Sequence, residues 1–256
     1  MPYPMVRKDA ENVIVKFIKD QVEAAGSDGA VLGLSGGLDS ATVAFLAVRA
    51  LGPDRVFALL LPEAKVTSGD DLEDARKVAS VLKIETKEIE ISKVLDCYSE
   101  VMPMAEAPPV VNGNLKARVR MTILYWHANL LGRLVLGTGN KTEIMLGYST
   151  KFGDAAADIF PIAGLYKDEV RDLARRLGVP NRIIDKAPTA GLWPGQTDEG
   201  ELGISYDDAN AILRGMEAGR SRQDLAAEFG PERLDLIKNR VEGGRHKREP
   251  IPTPEL

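Results

Sequence analysis

The stretch Gly33-Leu-Ser-Gly-Gly-Leu-Asp-Ser40 sets two adjacent glycines between two hydroxyls, with one carboxylate at Asp39. Glycine has no Cβ, so the backbone there can turn tightly and approach a bound group closely. A helical pattern begins near Asp39 and runs through Ala41, Val43, Ala44, Leu46, Ala47 and Leu51. The start of that helix directs unpaired N–H groups and the positive end of its dipole into the turn, which makes an anion site. Ser35 and Ser40 add hydroxyl donors, and Asp39 adds a carboxylate able to hold Mg²⁺ beside phosphate oxygens. The ligand expected of such a turn is a polyphosphate. Two other phosphate loops are excluded. No Lys precedes Ser40, as G-x-x-x-x-G-K-[ST] requires, and glycines at 33, 36 and 37 do not fit G-x-G-x-x-G.

The elements around the turn must hold it open at one end of a sheet. Ala30, Val31, Leu32 and Leu34 read as a buried strand entering it, and Arg55 to Leu61 as a second. Residues 84–91 alternate and predict a strand nearer an edge, and 133–139 predict a fourth, ending in a glycine-bracketed Thr. Helical spacing appears over 9–25, from Ser68 onward, over 115–131 and over 167–177, the last closed by Gly178 and Pro180. Ser68 and Asp71 have capping-box spacing, with Asp where Glu or Gln is usual. Residues 103–114 and 186–203, rich in Pro and Gly, predict loops, and shorter helical patterns cover 206–217, 221–229 and 231–242. Strands alternating with helices imply parallel βαβ units: an α/β, doubly wound parallel sheet with flanking helices and ligands at the strands' C-terminal ends. The glycine turn falls at such an end.

With 256 residues, the chain predicts a single domain spanning 1–256, with a sheet core over about 28–180 and a helical C-terminal portion over about 200–245. A net charge of -5 argues against a nucleic-acid partner. The lone Cys97 excludes an internal disulfide framework and predicts a reducing, cytoplasmic location. No apolar run reaches membrane-spanning length, and the N-terminus lacks the pattern of a signal peptide, so no membrane partner is expected.

The string Ser-Gly-Gly-Leu-Asp-Ser resembles that of the ATP pyrophosphatases, of the adenine nucleotide alpha hydrolase-like superfamily, which cleave ATP between its α and β phosphates. Further strings narrow the resemblance to one branch, the ammonia-dependent NAD synthetases. They are Asn-Leu-Lys-Ala-Arg-Val-Arg-Met (114–121), Gly-Thr-Gly-Asn-Lys-Thr-Glu (137–143) and Thr-Lys-Phe-Gly-Asp-Ala-Ala-Ala-Asp (150–158). Lys-Ala-Pro-Thr-Ala-Gly-Leu (186–192), Asp-Glu-Gly-Glu-Leu-Gly-Ile-Ser-Tyr (198–206) and a late His-Lys-Arg complete the set. The resemblance implies a ligase that amidates deamido-NAD with ammonia, through an adenylated carboxylate, giving NAD, AMP and pyrophosphate. It implies that Asp39 and Glu143 hold Mg²⁺, and that Gly33, Leu34, Ser35, Gly36, Gly37, Leu38, Asp39, Ser40, Thr138, Lys167 and Thr189 bind ATP. Arg118, Lys151, Asp158, His246 and Lys247 are implied contacts of deamido-NAD, with Asp39, Lys151 and Lys167 catalytic. It also implies a homodimer, for which the N-terminal helix and helix 115–131 are the expected contact surfaces.

Each residue has a plainer reading beside this one. Lys116 and Arg118 could be a solvated helix face, Glu143 a first-turn carboxylate favoured by the dipole, and Asp158 a cap. The run Asp70-Asp71-Glu73-Asp74 reads as solvated, with a second Mg²⁺ site as the alternative. His127 and Cys97 read as packing residues, and Cys97 lacks the setting of a glutaminase nucleophile. Free ammonia is therefore the expected nitrogen donor.

Overall fold

The computed structural model describes residues 6–254; the first five residues of the N-terminal reading, and residues 255–256, lie outside them. Helix α1 (Ala10–Ala24) precedes the sheet and buries Ile14, Ile18 and Val22. Strand β1 (Gly29–Gly33) runs through the glycine turn into α2 (Leu38–Leu51). The pattern repeats in β2 (Val56–Leu60), α3 (Gly69–Leu82) and β3 (Glu85–Glu88). Next come α4 (Ser92–Val101), α5 (Pro109–Leu131), β4 (Arg133–Leu136) and the short α6 (Lys141–Leu146). After these lie α7 (Lys167–Leu177), α8 (Asn181–Ile184), α9 (Asp198–Leu202) and α10 (Tyr206–Glu217). The last helices are α11 (Arg222–Phe229), α12 (Pro231–Gly243) and α13 (Arg245–Arg248).

The four strands are parallel, in the order β3-β2-β1-β4. From β1 the chain travels outward through β2 and β3, then returns to the other side of β1 as β4. Between β1 and β4 the winding reverses, and a crevice opens outside their C-terminal ends. The turns after β1 and after β4 therefore stand side by side.

Alternation along the central strands explains their near-continuous apolar runs. Ala30 and Leu32 of β1, with Val56, Ala58 and Leu60, face the core shared with α1, α2 and α7. Val31, Phe57 and Leu59 face the opposite core beneath α4 and α5. Both faces are covered, so each position is worth roughly 1.5–3 kcal/mol when a large side chain is fully buried. The edge strand β3 differs: all four of its residues are exposed. A third core, built on Tyr166, Leu202, Tyr206, Ile212, Leu213, Leu234 and Ile237, holds α9–α12 against α6 and α7.

Several expectations are corrected. Helix α5 starts at Pro109, inside the predicted loop, because Pro at the first helical position costs no hydrogen bond. Of its apolar row (Leu115, Val119, Ile123, Trp126 and Leu130), Val119 is buried and Leu115 and Ile123 pack against the core on the sheet. Gly113, Lys116, Ala117, His127 and Ala128 are buried as well, while Trp126 and Leu130 at the end of the row stay 56% and 65% exposed. Helix α9 likewise falls in the predicted loop 186–203. Cys97 is exposed on α4 rather than packed in a core. At Ser68 only half of the capping box forms. Its hydroxyl accepts from Asp71 N (3.0 Å) but donates to Asp71 Oδ2 (2.6 Å), the shorter Asp side chain meeting the hydroxyl instead of the cap backbone.

Candidate active site

The turn after β1 is held by its own serines. Ser40 Oγ donates to Gly37 O (3.0 Å) and accepts from Ser35 N (3.2 Å), while the two hydroxyls lie 3.0 Å apart. Gly37 N donates to Ser35 Oγ at 3.2 Å. The hydroxyls expected as ligand donors are thus committed to the turn, and the N–H groups at the start of α2 remain. Among the described residues no side chain caps α2, whose first turn opens into the crevice. Gly36 has φ +80°, and a Cβ there would lie 2.0 Å from Asp71 O. What demands a glycine at that position is the start of α3. Gly37, at φ -89°, carries no such strain.

Lys186 reinforces this contact. Its Nζ donates to Asp71 Oδ1 (2.8 Å), Asp74 Oδ2 (2.5 Å) and Gly36 O (3.4 Å). Asp74 is 1% exposed and also meets Arg182 Nε at 3.1 Å. Asp71 and Asp74 are therefore paired carboxylates, not the solvated face read from the sequence. Lys116 departs from its plain reading in the same way: it is buried, 2.8 Å from Glu63 Oε2, and donates to Leu192 O at 2.8 Å.

Across the crevice, the loop after β4 ends in Asn140, which is fully buried and caps α6. Its Oδ1 accepts from Glu143 N (3.1 Å), and Glu143 Oε2 accepts from Asn140 N (3.3 Å). Lys167 stands at the first position of α7, 4% exposed, where a helix dipole disfavours a cation. Two carboxylates offset that: Lys167 Nζ lies 2.5 Å from Asp39 Oδ2 and 3.1 Å from Glu143 Oε1. The ammonium also sits 5.1 Å from the centre of the Tyr206 ring. Tyr206 in turn donates to Asp198 Oδ2 at 3.0 Å. Burial pushes Glu143 up, Asp39 adds to it and Lys167 opposes it, leaving the carboxyl at about 7. Burial works against the Lys167 ammonium, but Asp39 and Glu143 outweigh it and hold its pKa above the ordinary value.

Asp39, Glu143 and Lys167 line one cavity of about 540 Å³. Gly33, Leu34, Ser35, Gly37, Leu38, Asp39, Ser40, Thr138, Glu143, Lys167, Thr189 and Lys247 are on its wall, and Gly36 lies behind the turn. Thr189 Oγ1 donates to Gln196 O at 2.8 Å, fixing the loop that crosses the cavity. Lys247 Nζ donates to Gly147 O (2.7 Å) and Ser149 O (2.6 Å) at the end of α6. Beside it Gly244 meets Gly147 so closely that a Cβ on Gly147 would lie 2.5 Å from Gly244 Cα.

Arg118, Lys151, Asp158 and His246 are not on the cavity wall. Arg118 Nη2 donates to Lys151 O (3.2 Å), and Lys151 Nζ donates to His246 O (2.8 Å), so three of the four form one chain. Asp158 is separate: its carboxylate accepts from Val135 N (2.7 Å) and from Tyr125 OH (3.2 Å), pinning the edge of β4. Burial and that carboxylate push Tyr125 up to about 12.

Sequence reasoning gave no role to Asn140, Lys186, Asp198 or Tyr206. All four lie within the strings that carried the resemblance, but nothing local marks their partners. For metal, the donor chemistry is specific. Among the described residues no group of three or more His, Cys, Asp or Glu is placed to hold an ion alone. Mg²⁺ keeps several waters and uses one or two carboxylates plus substrate phosphates, so Asp39 and Glu143 beside an anion-binding turn fit it.

The family profile described as NAD synthase matches residues 10–251. The NH(3)-dependent NAD(+) synthetase of Archaeoglobus fulgidus is 52% identical over 239 residues, 93% of this chain and 93% of its own. Among solved structures, NMN synthetase from Francisella tularensis aligns with a TM-score of 0.86 at 36% identity, covering 97% of this chain and 98% of its own. NH3-dependent NAD synthetase from Campylobacter jejuni aligns at 0.83 and 34%, with coverage of 97% and 98%.

Proposed function

Because the chain belongs to the NAD synthase family, we propose that it is a ligase joining ammonia to the free carboxylate of deamido-NAD with ATP as co-substrate. The observation that carries this reading is the convergence of Asp39 and Glu143 on Lys167 beside the uncapped start of α2. A carboxylate oxygen of the substrate attacks the α-phosphorus of ATP, and the bond to the pyrophosphate oxygen breaks. Ammonia then attacks the carbonyl of the acyl-adenylate, loses a proton, and expels AMP.

The first step brings two anions together, so its barrier is electrostatic. The N–H groups at the start of α2 hold phosphate oxygens through the helix dipole. Lys167 supplies a fixed positive charge that its two carboxylate neighbours keep protonated. Asp39 and Glu143 would hold Mg²⁺, which when bound shields the triphosphate's negative charge. Thr138 and Thr189, on the same wall, would contact the nucleotide. The Arg118–Lys151–His246 chain, with Asp158 and Lys247, is the surface assigned to deamido-NAD. Cys97, the only cysteine, lies on α4 and not on the cavity wall, which supports free ammonia as the nitrogen donor.

The chain is proposed to act as a homodimer in a reducing cytoplasm. Exposed apolar side chains support the dimer: Val13 and Phe17 on α1, and Val110, Val111, Trp126 and Leu130 on α5. The lone, unpaired cysteine supports the compartment. No helix among the described residues is long and apolar enough to cross a membrane.

The test supplies ATP, Mg²⁺, deamido-NAD and ammonium to the purified chain. AMP, pyrophosphate and NAD should form in equal amounts. Because the Francisella neighbour is an NMN synthetase, the mononucleotide acid is run in parallel; preference for it would overturn the dinucleotide reading. Equal turnover with glutamine would overturn the ammonia reading.

A further inference from the structure

We infer that Asn140 is the positioning residue that aligns the two carboxylates on one cation. Its contacts are symmetric. Asn140 Nδ2 donates to Asp39 Oδ1 (3.2 Å), and Asn140 N donates to Glu143 Oε2 (3.3 Å). The remaining oxygen of each carboxylate, Asp39 Oδ2 and Glu143 Oε1, is the one on Lys167 Nζ. One residue therefore grips the rear oxygen of both groups and leaves the front oxygen of each on a shared positive charge.

The orientation of the amide is fixed by the helix it caps. Glu143 N can only donate, so the Asn140 atom facing it at 3.1 Å is the carbonyl oxygen, and the nitrogen must point at Asp39. Ser, Thr and Asp cap helices about as well as Asn. Asn alone among them carries an acceptor and a donor on separate atoms, so it can cap α6 with one and reach Asp39 with the other. Asn140 is completely buried and 101 residues from Asp39 in sequence, so the contact ties the loop after β4 to the turn after β1 across the crevice. Without that donor, Asp39 Oδ1 is free to rotate and the two front oxygens lose their common focus.

This inference rests on the reading of Asp39 and Glu143 as the metal-holding pair, and the experiment separates the two. Mn²⁺ binding is followed by electron paramagnetic resonance with ATP present, in the wild type, Asp39→Ala, Asn140→Ser and Asn140→Thr. Ser and Thr keep the cap and remove the donor to Asp39, and Thr fills more of the buried volume should Ser unfold. Asp39→Ala should abolish protein-dependent Mn²⁺ binding. The Asn140 variants should weaken it about 10- to 100-fold, the range for groups that orient a metal's ligands. Metal-free ATP binding should stay at the wild-type value, with the chain still folded and the urea midpoint lowered only by the lost buried hydrogen bond. Wild-type Mn²⁺ affinity in both Asn140 variants, with Asp39→Ala impaired, would overturn the role of Asn140 alone. An equal loss of metal-free ATP binding would also overturn it, by showing general disruption of the site. Undiminished Mn²⁺ binding in Asp39→Ala would overturn the metal reading beneath it.

Discussion

Replacing Lys167 by methionine keeps the length and apolar stem of the side chain and removes its ammonium. In the wild type Lys167 is 4% exposed, and its ammonium has Asp39 Oδ2 at 2.5 Å and Glu143 Oε1 at 3.1 Å. The two carboxylates are themselves largely covered, at 16% and 17% side-chain exposure. Removing one partner of a buried ion pair costs about 3–5 kcal/mol, because the charge left behind has lost its compensation. Here two like charges are left. The loss should therefore sit in the upper part of that range at pH 8.5, without metal or nucleotide. Its sign with pH follows from Glu143, already raised by burial to about 7 and pulled down chiefly by Lys167. In the variant the carboxyl rises further. A carboxyl raised in the folded state gives stability that is complete below its unfolded pKa and lost as pH rises through the folded one. The variant should consequently regain stability as pH falls from 8.5 to 6, which urea denaturation at both values measures. A loss below about 1 kcal/mol at pH 8.5, or the same loss at both pH values, would refute the reasoning.

Three further outcomes are expected. Gly36→Ala should destabilise the chain by roughly 1–3 kcal/mol and weaken ATP binding, whereas Gly37→Ala should be tolerated, since only Gly36 combines φ +80° with a Cβ site 2.0 Å from Asp71 O. Thermal unfolding and nucleotide titration on the pair check this. Mn²⁺ affinity should fall between pH 8 and pH 6 as Glu143 takes up a proton near 7, and the slope should flatten in Glu143→Gln, measured by the same resonance titration. Trp126→Glu with Leu130→Glu should leave monomer stability within about 0.5 kcal/mol, because both side chains are exposed, and yield monomers in analytical ultracentrifugation.

What the sequence disclosed was local. The strand, the glycine pair, Asp39 and the helix after it are contiguous, and their chemistry follows from residue type and spacing. The parallel sheet was legible because β1 and β2 are buried on both faces and read as unbroken apolar runs. Three things were hidden for a common reason: they depend on what a residue meets, not on what it is. Asp74 looks like any charge on a helix until Lys186, 112 residues away, is found against it. Asn140 looks like a cap until its second arm is seen on Asp39. Periodicity in α5 announces an apolar row without saying how far the sheet covers it, and the cover takes Val119 but leaves Trp126 and Leu130 exposed.

The close approach of Gly147 and Gly244 has a consequence for how this protein opens. Backbone rests on backbone there, with no side chain to slip or repack, and Lys247 ties the junction by two carbonyls. The helix whose first turn carries Glu143 cannot loosen by itself while α12 stays docked. Amide protons of α6 and α12 should exchange with solvent at matching free energies, as members of a single cooperative unit, and the fidelity of the carboxylate pair is thereby linked to a segment about 100 residues further along the chain.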